Sequence, residues 1–222
     1  MIIRFCDIFF SGLALIILLP LLIPIMIILR CTGEGEIFYK QMRVGKDGKM
    51  FGLYKFATML KDSPKIGSGL LTVKNDPRVF PLGRILRKMK INELPQIINI
   101  LLGDMSIVGR RPQVKIHFDL YPYHIRTELI KTKPGLTSIG SIIFRDEETI
   151  MSQSELGYEE SYKNLIAPYK GELELWYVKK SSLSLYFVLI FLTVWVILFP
   201  KSLIAWKLFK DLPEPPENLN LK

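Results

Sequence analysis

The stretch INELPQIINILLGDMSIVGRRP, Ile91 to Pro112, concentrates groups that can do chemistry. A carboxylate, Glu93, stands beside an amide, Asn92. Gly103-Asp104 follows, and then two adjacent arginines, Arg110 and Arg111, before a proline. A helix N-terminus attracts phosphate through its unpaired N–H groups. Arginine grips phosphate oxygens two at a time. A carboxylate in that setting can act as nucleophile or base. Arg87, upstream on a basic helix face, adds another cation. A plainer account also covers Asn92 and Glu93. Asn92 is a good N-cap for a helix running to about Leu102 and stopping at Gly103, with Glu93 complementing the dipole in its first turn and Pro95 at a tolerated early position. Residue types alone leave both accounts standing.

The elements around this stretch follow from pattern. EIFYKQMR, from Glu36 to Arg43, and the following VGKDGKMFGLYKF read as two short strands around a turn containing Gly45, Asp47 and Gly48. Residues 61–75 are rich in Ser, Gly and Pro and read as a loop. Asp76-Pro77 opens a helical stretch. In it Leu82, Ile85, Leu86 and Met89 share one face and Arg84, Arg87 and Lys88 the other. His117 and His124, in HFDLYPYH, read as packing or surface residues rather than metal ligands. Asp104 reads as a turn residue, with a metal role left open.

The chain is 49% hydrophobic and carries a formal net charge of +9 over 222 residues. The two properties coexist because they are segregated. Residues 8–29 form an uncharged apolar run, long enough to cross a bilayer as a helix. It is too long for a signal peptide, and no small-x-small site follows it. Pro20 and Pro24 inside the run favour a kink, so the helix can span or dip into one leaflet and return. A second uncharged run covers residues 183–200, between Lys179-Lys180 and Lys201. Its length suits a span or an interfacial helix equally. Through Pro134, Lys and Arg outnumber Asp and Glu 21 to 10; after it the ratio is 9 to 11. A basic membrane-proximal half attracts anionic lipid or a phosphate-rich substrate and places the domain in the cytoplasm. Nucleic acid is not expected, because no reader motif is present. Cys6 and Cys31 bracket the first apolar run and build no disulfide framework. The expected organisation is a membrane segment at 1–30, a cytoplasmic catalytic domain at 31–182, an apolar membrane-associated segment at 183–208 and a disordered tail at 209–222. The fold class is α+β: a membrane-anchored, mostly helical domain with a small β-hairpin.

Taken together, the motifs resemble those of the bacterial sugar transferases, the monotopic polyprenyl-phosphate phosphoglycosyl transferases of the small single-domain type. NELPQ (Asn92 to Gln96) and GDMSIVGRRP (Gly103 to Pro112) are similar to the family's DELPQ and GDMSxVGPRP. FYKQMRVGKDGKMFGLYKF, NDPRV, LGRILRK and KPGLT (Lys133 to Thr137) match further family segments in order, and the apolar N-terminus with Pro20 is similar to its re-entrant helix.

The resemblance implies transfer of a sugar 1-phosphate from a UDP-sugar to undecaprenyl phosphate, with release of UMP and a need for Mg2+. It also implies a location at the bacterial inner membrane, on its cytoplasmic face, with membrane lipid and a second copy of the chain as partners. Carried over by position, Glu93 matches the dyad glutamate, a metal or proton partner. Arg87, Arg111, Lys55 and Arg145 match residues that hold phosphate or nucleotide, and Gln96 is retained.

The departures define the question. Asn92 stands where the family nucleophile is aspartate, and an amide forms no acyl phosphate. Arg110 replaces the first proline of Pro-Arg-Pro, Ser141 a common glutamine, and Ala57 a common basic residue. Either Glu93 takes over the nucleophile's part, or transfer is direct, or the chain is an inactive membrane-associated scaffold. The retained arginines, Gln96 and GDMS segment favour activity.

Overall fold

The computed structural model describes every residue except 68, 70, 71, 73, 74, 153–157, 201, 217, 220 and 222. The chain divides into two units. The first comprises Met1–Met42 and Gly52–Asp104, the second Arg43–Phe51 and Met105–Lys222.

The first unit begins with helix α1, Ile2–Cys31, which continues through Pro20 and Pro24. It is long and apolar enough to cross a membrane. Both of its ends touch the rest of the unit. Near the start, the Arg4 guanidinium donates to the carbonyls of Ile100 (2.5 Å) and Leu101 (3.0 Å). Those carbonyls lie in the last turn of a helix; the Ile100 carbonyl also accepts the Gly103 N–H (3.1 Å). Toward the other end, Leu22, Ile25 and Leu29 pack with Phe56 and Leu86, flanked by Ile37, Leu82, Ile91 and Leu94. Strands β1, Phe38–Val44, and β2, Met50–Phe56, form the expected hairpin around the turn Lys46–Gly48. Asp47 and Gly48 in that turn both have positive φ.

Helix α2 covers Pro81–Lys88, and α3 covers Gln96–Leu102. Two expectations are corrected here. Helix α2 starts at Pro81, with Phe80 as its cap, and not at Asp76-Pro77. The Asp76 carboxylate is spent on Arg78: Oδ1 accepts the Arg78 backbone N–H (3.0 Å) and Nε (2.8 Å), and Oδ2 accepts Nη2 (2.6 Å). Asn92 is not an N-cap. Lys90 takes a left-handed conformation (φ 58°), a tight turn follows at Ile91–Glu93, and Pro95 precedes α3. The proline ring fixes its own φ and has no N–H to satisfy, so it starts the helix without a capping side chain. Helix α3 ends as expected at Gly103, left-handed at φ 95°. On α2, Leu86 is buried and Leu82 partly so, while Ile85 and Met89 are exposed.

The second unit contains a parallel strand pair, β3 (Ser106–Val108) and β4 (Gly135–Thr137), in register Ser106 to Gly135 and Val108 to Thr137. Gly109 and Gly135 are needed where these strands meet. A Cβ on Gly135 would lie 2.0 Å from the Gly109 nitrogen. The short helices α4 (Lys115–Phe118) and α5 (Tyr123–Leu129) connect the strands. After β4 come α6 (Ile139–Ile143), α7 (Glu147–Ser152), α8 (Tyr158–Ser161), a π-helical turn (Tyr162–Ile166) and α9 (Ala167–Lys180).

Helix α10, Leu183–Leu198, buries Leu185, Tyr186, Leu189, Leu192 and Val196, and exposes Phe187, Phe191, Val194, Ile197 and Leu198. Ser182 caps its start, and Thr193 bonds Thr137 of β4 (2.6 Å). A short α11, Ile204–Leu208, follows. The tail expected to be disordered makes contacts at its start. Trp176 Nε1 donates to Asp211 (3.1 Å), Tyr169 donates to the Pro213 carbonyl (2.7 Å), and Leu212 is buried. Its leucines supply the apolar area that a Pro-rich polar composition hides.

Candidate functional site

In the first unit, Lys55 and Glu93 come together. Lys55 projects from β2, and its ammonium lies 3.7 Å from Glu93 Oε1; both side chains are largely shielded from water. The pair sits at the turn that the left-handed Lys90 produces, so the conformation of one residue aims the carboxylate. Asn92 is only 6% exposed and Gln96 1%. Asn92 Oδ1 and both amide atoms of Gln96 are buried with no hydrogen-bond partner among the described residues. Buried polar atoms of that kind are costly to a fold and mark positions where a ligand or a proton matters.

Arg87 is held rather than loose. Its Nη2 donates to Thr72 Oγ1 at 2.7 Å and its Nη1 faces the Met59 sulfur at 3.4 Å. The loop that carries Thr72 is organised by Arg78. One guanidinium nitrogen of Arg78 donates to the carbonyls of Ser63, Ile66 and Gly69. Asp76 beside it holds the Arg78 pKa above its ordinary value, chiefly through their hydrogen bond. Thus NDPRV serves the site indirectly, by shaping the loop that orients Arg87.

Asn99 is a residue the sequence reading missed. It is fully buried in α3. Its Oδ1 accepts the Tyr54 N–H (3.0 Å), and its Nδ2 donates to the Gly52 carbonyl (2.8 Å) and to Asp104 Oδ2 (3.3 Å). It fastens β2, the strand of Lys55, to the helix that follows Glu93. The available signal was one amide in an otherwise apolar helix core, QIINILL. Asp104 is therefore engaged as a turn residue, held by Asn99.

Arg111 and Arg145 belong to the second unit. The two adjacent arginines there part company. Arg110 is 1% exposed. Its Nε donates to the Leu129 carbonyl (2.8 Å), and its Nη2 to the carbonyls of Val44 (3.0 Å) and Gly45 (2.9 Å). Burial pulls its pKa down to about 10. It pins two backbone segments, at Leu129 and at Val44-Gly45, and is not available to substrate. Arg111, its neighbour, is half-buried. Arg145 pairs with Asp146 (3.3 Å), at the edge of a cavity of about 160 Å³ lined by Ile142, Val196, Leu203 and Trp206 among others.

The strand pairing explains why GDMSIVGRRP and KPGLT occur together. The Gly109 N–H donates to the Thr137 carbonyl (3.1 Å) and the Gly135 N–H to the Arg110 carbonyl (2.8 Å). His117 packs against Tyr162 with the rings tilted by 41°, and burial lowers its pKa to about 4, keeping it neutral. His124 is a surface residue, 4.0 Å from Glu172. Among the described residues no three His, Cys, Asp or Glu side chains gather into a metal cluster.

Comparison with known proteins places this arrangement. The family model for bacterial sugar transferase matches residues 1–200. The chain is 33% identical over 196 residues to a UDP-glucose:undecaprenyl-phosphate glucose-1-phosphate transferase of Klebsiella pneumoniae, covering 86% of this chain and 39% of that one. It is 37% identical over 147 residues to the exopolysaccharide production protein PSS of Rhizobium leguminosarum (63% and 72%). It is 43% identical over 110 residues to a putative undecaprenyl-phosphate N-acetylgalactosaminyl 1-phosphate transferase of Bacillus subtilis (50% and 61%). The chain thus spans about two-fifths of the length of the Klebsiella protein and about seven-tenths of the Rhizobium one. With a family match running through both units and over nine-tenths of its length, this chain belongs to the bacterial sugar transferase family.

Proposed function

We propose that this chain transfers a sugar 1-phosphate from a UDP-sugar to undecaprenyl phosphate, releasing UMP, as the opening step of a lipid-linked surface glycan. The observation that carries the reading is the shielded Lys55–Glu93 pair beside the buried Asn92. Relatives named as undecaprenyl-phosphate sugar-phosphate transferases supply the substrate class. Asn92 offers no nucleophilic oxygen of its own, so Glu93 is the reacting carboxylate. One Glu93 oxygen attacks the sugar-bearing β-phosphorus of the UDP-sugar. The bond from that phosphorus to the bridging oxygen breaks, and UMP leaves with the electron pair. An oxygen of the lipid phosphate then attacks the same phosphorus and frees the Glu93 carboxylate. Lys55 attracts the Glu93 carboxylate across a shielded 3.7 Å gap and holds it in place. Arg87 binds phosphate or nucleotide oxygens, and Asn92 and Gln96 contribute neutral hydrogen-bonding groups; for Arg111 and Arg145, in the second unit, the same role rests on the family resemblance alone.

The donors present suit Mg2+. The ion commonly takes one or two carboxylates and completes its shell with water and substrate phosphate. Glu93 and Asn92 Oδ1, which has no hydrogen-bond partner among the described residues, would supply a carboxylate and an amide oxygen, and Asp104, held by Asn99, would supply a second carboxylate. When bound, the ion neutralises charge on the diphosphate.

For the membrane segment we propose a re-entrant α1 with both ends on the cytoplasmic face. Its support is that both ends of α1 contact the first unit, through Arg4 and through Leu22–Leu29. A helix projecting straight through a bilayer would leave one end clear of the domain. Helix α10, at about 1.5 Å per residue, is about 24 Å long and falls short of a bilayer core. With one face buried on protein and the other apolar and exposed, it lies along the interface. A cysteine placed at residue 2 should resist membrane-impermeant thiol reagents in intact cells; rapid labelling would sink the re-entrant topology. Incubation with a UDP-sugar and no acceptor should leave a phospho-sugar on the Glu93 peptide by mass spectrometry. Labelling elsewhere would refute the nucleophile assignment.

A further inference from the structure

The cavity beside Arg145 combines apolar walls with a loosely bound cation. Its volume is about 160 Å³, and all of its lining belongs to the second unit. Ile142 of α6, Ile150 of α7, Val196 of α10, and Leu203 and Trp206 at α11 supply the apolar surface. Arg145 and Asp146, in the turn between α6 and α7, supply the charge. Arg145 Nη1 lies 3.4 and 3.3 Å from the two oxygens of Asp146, whose side chain is 58% exposed. Arg145 Nε is buried and has no hydrogen-bond partner among the described residues. The guanidinium thus keeps a donor for a better acceptor. One wall comes from residues beyond the family match, which ends at residue 200. That wall is firmly seated. Ser202 Oγ accepts Trp195 Nε1 (2.9 Å), Phe209 packs on Trp176 (5.1 Å between ring centroids), and Asp211 accepts Trp176 Nε1 (3.1 Å) and the Lys180 ammonium.

We propose that this cavity takes the first isoprene unit of a prenyl phosphate, with the phosphate held by Arg145. This rests on the reading of undecaprenyl phosphate as the acceptor, and it names where the head of that lipid binds. Size, charge and access select the ligand. An apolar cavity of about 150 Å³ takes a benzene ring, and an isoprene unit has one carbon fewer. The arginine fork grips phosphate oxygens in pairs, and Arg145 offers Nε beside Nη1. Arg145 stands in the apolar wall itself, so its ligand must carry phosphate directly on hydrocarbon. A prenyl phosphate does so. A glycerophospholipid puts an ester-bearing glycerol between phosphate and chain, and those polar atoms would lose water against Ile142 and Val196 without gaining partners. Access from lipid follows from the neighbours of the wall. Ile197, Leu198, Phe199 and Leu203 are exposed, and with α10 along the interface they meet the bilayer, where the remaining isoprene units stay. The phosphate then displaces the exposed Asp146 carboxylate from Arg145.

Photolabelling of the full-length protein in detergent tests this without needing turnover. The probe is a short prenyl phosphate with a diazirine on its first isoprene unit. Peptides holding residues 142–150 or 196–206 should carry the adduct. Unlabelled prenyl phosphate should suppress it. Phosphatidylglycerol, inorganic phosphate and the prenyl alcohol without its phosphate should not. Ala205 lines the cavity and is buried, so Ala205→Leu fills the space and should reduce labelling about tenfold or more. In the transfer assay Ala205→Leu should raise KM for undecaprenyl phosphate by a similar factor and leave KM for the UDP-sugar unchanged, a split that general loss of structure does not produce. The competition series uses the native protein, so the test stands if Ala205→Leu does not fold. An adduct elsewhere, suppression by phosphatidylglycerol as strong as by prenyl phosphate, or labelling unmoved in a folded Ala205→Leu protein overturns the proposal. A labelled cavity in a protein that releases no UMP would support the lipid site while removing the transferase reading. UMP release with an unlabelled cavity would do the reverse.

Discussion

Replacing Arg110 separates structure from chemistry within a pair of adjacent arginines. The guanidinium makes three hydrogen bonds to backbone carbonyls, of Leu129, Val44 and Gly45, at 2.8–3.0 Å. Bonds from a charged donor contribute about 1.5–3 kcal/mol each, net of desolvation. Burial opposes the charge and pulls the Arg110 pKa down to about 10. Arg110→Ala also removes a donor from the Val44 and Gly45 carbonyls and from that of Leu129, which keeps Thr132, and opens a cavity, so a loss of about 3–5 kcal/mol is expected. Arg110→Lys should recover little, because one ammonium cannot span the three acceptors. Arg111→Ala should cost about 1 kcal/mol or less in stability and remove activity. Denaturant unfolding in detergent, with UMP release measured on the same samples, gives both quantities. An Arg110→Ala protein within about 1 kcal/mol of wild type, or an Arg111→Ala protein that is less stable than it, would refute the assignment of the two side chains.

Further outcomes follow from the same contacts. Glu174 titrates near 7 in the folded protein against an ordinary 4.5, so its contribution to stability is full below about pH 4.5 and is lost as pH rises through 7, about 3 kcal/mol in all. His117 titrates near 4 against 6.5, so its contribution is full above about pH 6.5 and is lost as pH falls through 4, about 2 kcal/mol after allowing for its partial exposure. The two oppose each other between about pH 4.5 and 6.5, and wild-type stability should be nearly flat there. Glu174→Gln should uncover the acid-side loss and His117→Gln the alkaline-side loss; identical slopes in all three proteins would contradict the two assignments. Asn99→Leu should lower kcat with little change in fold, since it frees the β2 backbone behind Lys55. An unchanged kcat there would show that the fastening is dispensable. Glu93→Gln should abolish UMP release, and retained activity would reduce Glu93 to a turn carboxylate.

The parts of the fold legible in the sequence are those written in long runs or strong punctuation. Residues 8–29 and 183–200 are uncharged; the first run lies in α1 and the second supplies α10, which ends at Leu198, and both helices carry exposed apolar side chains. The hairpin is marked by Gly45, Asp47 and Gly48, and Gly103 ends α3 where expected. What was illegible depends on which of several similar side chains turns inward. Arg110 and Arg111 are indistinguishable as neighbours, yet one is sealed among carbonyls. Glu172 and Glu174 are two residues apart in ELELW, yet only Glu174 meets Ser138 and Gly140. Asn92 has the composition of a cap, but the left-handed turn at Lys90 moves the helix start past it to Gln96. That shift also sharpens the functional point. An amide freed from capping and buried, whose oxygen has no hydrogen-bond partner among the described residues, is a group kept for something other than holding the helix.

The claim underneath all of this is that a family member with asparagine at the nucleophile's position still performs phosphoglycosyl transfer. The direct measurement is UMP release by the purified full-length protein, with Mg2+, undecaprenyl phosphate and a broad panel of UDP-sugars, run beside Asn92→Asp and Glu93→Gln. The account predicts UMP from at least one sugar with the native protein and none with Glu93→Gln. No UMP from any sugar with the native protein, and UMP from the same panel with Asn92→Asp, would contradict it and make the native chain an inactive relative.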